Sequence, residues 1–418
     1  MPPLDKAKRK LDSNDWGYVA VNIGMGIGAG IVFLPVKAGM VGLWTFLITI
    51  IIAYPALYVF QRLFVNTLIE SDSSEDYATM IGHYLGKKWG VALGVIYFIM
   101  LIIWVFVYSE SITDDSAVYL QAAGITKVRL SKNPIYIFAI ISFLVFLAFK
   151  SRKLLLSASK FLVALILVML VILSFMIIPH WDTKNIKAFP PIMDIVRNVI
   201  ITLPFAMTSI LFLQSLSPMV ISVKGRIKDK DEARYKCLKI MNTAFFILAG
   251  IVFFFAFSCT LAITHADAER AFSENISFLA IMAEVIRGGL IPEMGVALNL
   301  SAVVTSFFGV MLGFHEACVG LTVNTFYKNT PREEINMKKL TRIIIVFIVL
   351  VASTAVIINF PILDFTSICS PIFAIIGCFI PVLLVFKSDK LKKYRGATVI
   401  IVLITGALLF ISPFLAFL

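Results

Sequence analysis

Apolar runs of about twenty residues alternate with short polar stretches along almost the whole chain, and that is the length of a bilayer crossing. Eleven runs stand out, at roughly 17–37, 41–65, 89–120, 134–150, 154–178, 194–222, 239–263, 292–321, 341–359, 362–386 and 396–417. The first two are divided only by Ala38 to Val41, which predicts a tight hairpin. Two polar connections carry helical patterns of their own. Tyr77 to Leu85 reads as a short amphipathic helix lying on the cytoplasmic surface, and His265 to Ile291 reads as a solvated connector or an outer lid. The pattern predicts an all-α integral membrane protein.

Two of the runs are interrupted. In the first, every second residue from Gly24 to Gly30 is glycine, and Pro35 follows. Glycine costs about 1 kcal/mol per residue in a helix interior, so this stretch predicts a broken helix. A break at membrane depth is tolerated where the freed backbone faces protein or a water-lined cavity. Freed amides at the start of a half-helix attract a carboxylate. Gly24/Gly28 and Gly26/Gly30 also fit a small-xxx-small pattern, which brings two helices close with no ligand involved. Five runs later, Pro204 and Pro218 bracket Thr208, Ser209, Gln214, Ser215 and Ser217. Proline removes a helix hydrogen bond and clashes with the preceding turn. Interruptions at corresponding places in two halves point to a transporter site. Runs 1 and 6 correspond if runs 1–5 and 6–10 form a five-plus-five inverted repeat. The expected division is a tail at 1–16, a first repeat at 17–178, a second at 194–386 and an additional helix at 396–417.

Composition changes this picture little. Sixty percent of residues are hydrophobic and 15% are charged, against about 45–50% and about 25% in soluble domains. The formal net charge of +12 raises nucleic acid as a partner. The basic residues lie in particular connections instead, so the positive-inside rule accounts for them and no nucleic acid is expected. They gather in the tail and in the 4–5, 6–7, 8–9 and 10–11 connections. That arrangement puts the N-terminus in the cytoplasm and the C-terminus in the periplasm. The 3–4 connection, with Lys127, Arg129 and Lys132, runs against the trend. The first sixteen residues are polar, so the first run reads as a retained helix rather than a cleaved signal. The five cysteines and four histidines show no ligand spacing, so no metal or cofactor is expected.

Ionisable residues inside apolar runs are costly and are functional suspects by default. Lys160, Glu316 and Glu110 are candidates for ion coupling, and Tyr108 is a candidate cavity wall. Neutral hydroxyls at Thr208, Ser209 and Ser306 suit a small polar side chain. No charged residue stands at either break, which argues against dibasic or dicarboxylic solutes. Hydroxyls of run 8 are also suitable sodium ligands.

The runs IGMGIGAGIVFLPVKAGMVGLW, ITLPFAMTSILFLQSLSPMVIS, ENISFLA and SFFGVMLGFHEA resemble the hydroxy and aromatic amino acid permease family. They look closest to its serine/threonine branch, and within it to bacterial D/L-serine transporters. The similarity extends over nearly the whole chain. It implies a LeuT-like five-plus-five fold with helices 1 and 6 broken, in a bacterial inner membrane, importing serine-like amino acids by proton symport. It implies that Gly26, Gly28, Ala29 and Gly30 bind the substrate carboxylate. It also implies that Phe205, Thr208, Ser209 and Leu211 bind the amino group and shape the side-chain pocket. Some relatives place a coupling lysine on helix 5, where Lys160 stands. The alternative within the class is an aromatic amino acid permease, with Phe205, Phe212 and Trp104 lining a larger pocket. A channel lacks its symmetric polar rings here, and an enzyme lacks a nucleophile with its base.

Overall fold

Asp12 starts the first helix, α1 (Ser13–Val41), with a reciprocal cap. Its carboxylate accepts from the backbone of Asn14 and Asp15, and Asp15 accepts from the Asp12 amide at 3.0 Å. Gly42, at φ +79°, ends α1 and starts α2 (Leu43–Glu70). The expected hairpin therefore turns on a single residue, whose left-handed conformation needs glycine. A second such turn, Gly86 at φ +96°, joins α3 (Tyr77–Leu85) to α4 (Lys87–Ala122). The chain continues through α5 (Pro134–Lys150), α6 (Arg152–Ile177), α7 (Ile192–Thr208), α8 (Leu213–Arg226), α9 (Lys230–Ala262) and α10 (His265–Ser273). It then forms α11 (Ile291–Phe326), α12 (Met337–Ile357), α13 (Cys369–Lys387) and α14 (Ala397–Leu415). This computed structural model describes residues 10–71, 76–186, 188–273, 291–327, 330–331, 334–358 and 369–415. It omits the side chains of 29–33, 122, 204–205, 271–273, 291–292, 412 and 415.

Among the described residues, eight helical spans are long and apolar enough to cross a membrane, and two shorter apolar helices join them. Large apolar side chains point outward along α5, α6, α12 and α14, as at Phe143, Phe161, Ile343 and Ile404. Lipid covers such a surface without penalty. Inside a bilayer, association then rests on close packing and polar contacts rather than on the hydrophobic effect. Helix α1 is the hub, packed against α6, α9 and α11. Its side chains from Gly17 to Gly28 are buried.

One expectation is corrected and two are given their physical detail. The helix at Tyr77–Leu85 exists, but it does not lie on the surface. Tyr77, Ala78, Met80 and Ile81 are buried, because α3 packs into α4, where a Cβ at Gly90 would come within 2.9 Å of the Gly82 Cα. Run 6 is broken between its prolines, at 209–212, where the bracketing predicts it. Pro218 sits inside α8 and leaves the Gln214 carbonyl without its helix partner. Gly313 of α11 approaches that carbonyl so closely that a Cβ would sit 2.7 Å from it. In the 3–4 connection, Arg129 pairs with Asp114 at 3.4 Å, so a local acid accounts for one of the discordant cations. The ENISFLA motif and Asp364 to Ser367 lie outside the described residues.

Candidate functional site

Helix α1 is interrupted at Gly28, where φ is −16° and ψ is −134°. A helical residue 28 would donate its amide to the Gly24 carbonyl. The Ser306 hydroxyl of α11 donates to that carbonyl, one turn before the break, at 2.9 Å. The three described glycines of the run have different neighbours. A Cβ at Gly24 would meet Thr305 of α11 at 2.6 Å, and one at Gly26 would strike Leu248 of α9. These two serve close packing. A Cβ at Gly28 would meet the Tyr108 hydroxyl at 2.5 Å and the Ser306 hydroxyl at 2.8 Å. The break itself therefore faces polar groups. Tyr108 is 4% exposed and stacks on Trp104 with ring centroids 5.6 Å apart.

The second break covers Ser209 to Phe212, between α7 and α8. Its polar backbone is satisfied locally and from afar. The Ser209 hydroxyl donates to the Ala206 carbonyl at 2.7 Å, and the Phe212 amide donates to Gln61 Oε1 of α2 at 3.2 Å. The Ser215 hydroxyl lies 2.8 Å from Asn22 Oδ1 of α1. The second break lies against α1 two residues before the first, because the Ile210 backbone is 3.6 Å from where a Gly26 Cβ would sit. The helix end at Thr208 carries a negative dipole, and the half-helix beginning after Gly28 carries a positive one. Together they offer a zwitterion both of its counter-charges without any ionised side chain.

The expected site residues are therefore only partly gathered. Gly26, Gly28, Tyr108, Thr208, Ser209 and Leu211 lie on the two breaks or against them. The Ser209 hydroxyl is turned back onto its own helix. The side chains of Ala29, Gly30 and Phe205 lie outside the described residues. Lys160 is not at the breaks, since its ammonium donates to Ser13 at the exposed start of α1, at 2.9 Å. Glu110 is half-buried on α4, two residues beyond Tyr108. Glu316 is 9% exposed and bonds to α3 and α8. Gln61 and Asn22 were missed as partners. Their signal was an amide side chain within an apolar run, where burial without a partner is costly.

Ser306 makes the first testable point. Ser306→Ala removes the side-chain bond that ties α11 to the Gly24 carbonyl, a loss of about 0.5–1.5 kcal/mol. Transport should fall while membrane insertion is retained, as uptake assays paired with immunoblots would read. Unchanged uptake would mean that the bond does not hold the break.

Two broken helices packed side by side, inside a bundle that is helical and apolar among the described residues, define a secondary transporter of the LeuT fold. Three solved structures share that fold. The transporter MHP1 of the nucleobase-cation-symport-1 family, closed around bromovinylhydantoin, superimposes with a TM-score of 0.62 at 12% identity, covering 99% of this chain and 94% of that one. MhsT in complex with L-phenylalanine gives 0.55 at 14% identity, covering 94% and 98%. A manganese transporter from Eremococcus coleocola gives 0.59 at 15% identity, covering 99% and 89%. The chain belongs to the tryptophan/tyrosine permease family, which matches residues 13–414. It is 49% identical over 411 residues to a serine transporter of Escherichia coli O157:H7, covering 98% of this chain and 93% of that protein. The threonine/serine transporter TdcC of Escherichia fergusonii is 27% identical over 394 residues, covering 89% and 88%.

Proposed function

We propose that this protein imports serine and similar small neutral amino acids by proton symport across a bacterial inner membrane. The observation that carries the reading is the approach of the second break to α1 beside the first, Ile210 against Gly26, two residues before Gly28. The carboxylate is held by amides beyond Gly28, and the ammonium by carbonyls at the end of α7. The side chain points toward Thr208 and Tyr108. The 49% identity to serine transporters supports the substrate. Eleven spans in a five-plus-five inverted repeat complete the fold, with the N-terminus in the cytoplasm and the C-terminus in the periplasm.

Two further readings have an observation behind them. The family description names tryptophan and tyrosine, and the Trp104–Tyr108 stack supplies aromatic surface beside the break. Sodium could replace the proton, because Thr305 and Ser306 present hydroxyl oxygens beside Gly24, and a hard cation prefers oxygen ligands.

The test is labelled L-serine uptake into proteoliposomes under an imposed proton gradient, an imposed sodium gradient, or neither. D-serine, threonine, cysteine and tryptophan are the competitors. Proton-driven accumulation blocked by D-serine or cysteine is expected. Tryptophan uptake without serine uptake would transfer the protein to the aromatic reading, and accumulation driven by sodium alone would overturn the proton.

A further inference from the structure

Glu316 lies on α11, well away in sequence from both breaks, yet it joins two other helices. Its Oε1 accepts from the Tyr77 amide, the first residue of α3, at 2.7 Å. The same oxygen accepts from the Ser217 hydroxyl of α8 at 2.6 Å. Tyr77 is locked in turn. Its ring stacks on Phe64 of α2 at 5.8 Å and packs tilted against Tyr97 of α4 at 5.0 Å between centroids. Its hydroxyl donates to the Ile376 carbonyl at 3.4 Å, inside a π-helical turn of α13 at Ala374–Phe379. The titratable groups nearby are Asp76 and Tyr77 from α3 and Tyr97 from α4. Helix α8 presents the neutral Ser217, and α13 presents a backbone carbonyl. His315 on the same helix turns away, onto the Phe149 ring at 5.0 Å.

We infer that Glu316 binds the coupling proton, and that its ionised form is the latch holding α8 closed. This rests on the proton-symport reading above. Both bonds are charge-assisted while the carboxyl is ionised, and such bonds are roughly twice as strong as neutral ones. The amide end of α3 also favours a negative charge. One proton converts the carboxylate to a carboxylic acid, and both bonds fall to ordinary strength. Helix α8 then loses an anchor about one turn past the unwound segment at the substrate. The protonated, loaded carrier opens to the cytoplasm. There the proton leaves, and the ionised carboxyl draws α8 back for the empty return. Proton and substrate bias the same element, so each favours passage of the other.

Two variants test this in proteoliposomes, Glu316→Gln and Ser217→Ala. A pH unit corresponds to about a tenfold accumulation for one proton per substrate. Wild type should approach that value, whereas Glu316→Gln should not concentrate serine at all but should still exchange labelled for unlabelled serine. Ser217→Ala keeps the carboxyl but loses one latch bond, so its uptake should remain proton-driven with a displaced pH profile. Normal proton-driven accumulation by Glu316→Gln would overturn the inference. Loss of exchange in Glu316→Gln together with a wild-type pH profile in Ser217→Ala would overturn it too, since the carboxyl would then be a structural post. Wild-type accumulation indifferent to the proton gradient would instead remove the symport reading beneath it, and the inference with it.

Discussion

Gly28→Ala should cut uptake about ten- to a hundredfold, and Gly28→Leu should abolish it, with both proteins still reaching the membrane. The new methyl would sit 2.5 Å from the Tyr108 hydroxyl and 2.8 Å from that of Ser306. Neither can step aside cheaply. Tyr108 is buried and stacked on Trp104, and Ser306 is tied to the Gly24 carbonyl. Overpacking of this kind costs about 1–3 kcal/mol, and here it falls where the substrate must enter. Gly24→Ala is the informative contrast, because its methyl meets the apolar Cβ of Thr305. That variant should lower expression and thermal stability in detergent rather than act on transport alone. Full uptake by Gly28→Leu would show that the glycine break does not form the binding site.

The breaks were legible because glycine and proline act on their own few residues of backbone. Repeated glycine from Gly24 marked the interruption in α1, and the structure puts it at Gly28. The second interruption was foreseen in place but not in cause. It falls at Ser209–Phe212, where the backbone is supported by Gln61, a residue 151 positions away. No local pattern can announce such a partner. Asn22 illustrates the same limit. It directly precedes the glycine run, but its partner Ser215 lies 193 positions on. Helix α3 was placed correctly along the chain and wrongly in space. Its amphipathic pattern does not say whether the apolar face meets lipid headgroups or protein. Lys160 and Glu316 looked alike as ionisable residues within apolar runs. The fold separates them, leaving Lys160 on an exposed serine and burying Glu316 where α3 and α8 converge.

The other large effect is expected at the opposite end of α1. Asp15 has no exposed surface, and its carboxylate receives Arg226 of α8 at 2.9 Å and Lys236 of α9 at 2.8 Å. Arg226 also reaches Asp12 at 3.0 Å. These bonds tie the first half of α1 to the second half of the other broken helix, closing the side proposed as cytoplasmic. Asp15→Asn leaves two cations facing a neutral amide, and breaking a buried pair in this way costs about 3–5 kcal/mol. Part of that cost is relieved by opening, so the carrier should shift toward its inward-facing form and lose net accumulation. Cys237, buried next to Lys236, is a native reporter. Its alkylation by a thiol reagent applied from the cytoplasmic side should rise at least about tenfold, read by peptide mass spectrometry. Unchanged labelling with normal accumulation would show that the cluster is not a gate. Its response to pH separates it from Glu316. Burial pushes the Asp15 carboxyl up, but hydrogen bonds from Lys236, the Asp12 backbone and Arg226 outweigh it and hold the group below its ordinary value of 3.8. A depressed carboxylate stabilises the fold above its unfolded value and loses that stabilisation only as pH falls through the lower folded one. The Asp15 cluster is therefore constant between pH 5 and pH 8. A pH response of uptake in that range belongs to another group, and the proposal above assigns it to Glu316, which accepts from Ser217 of the same α8.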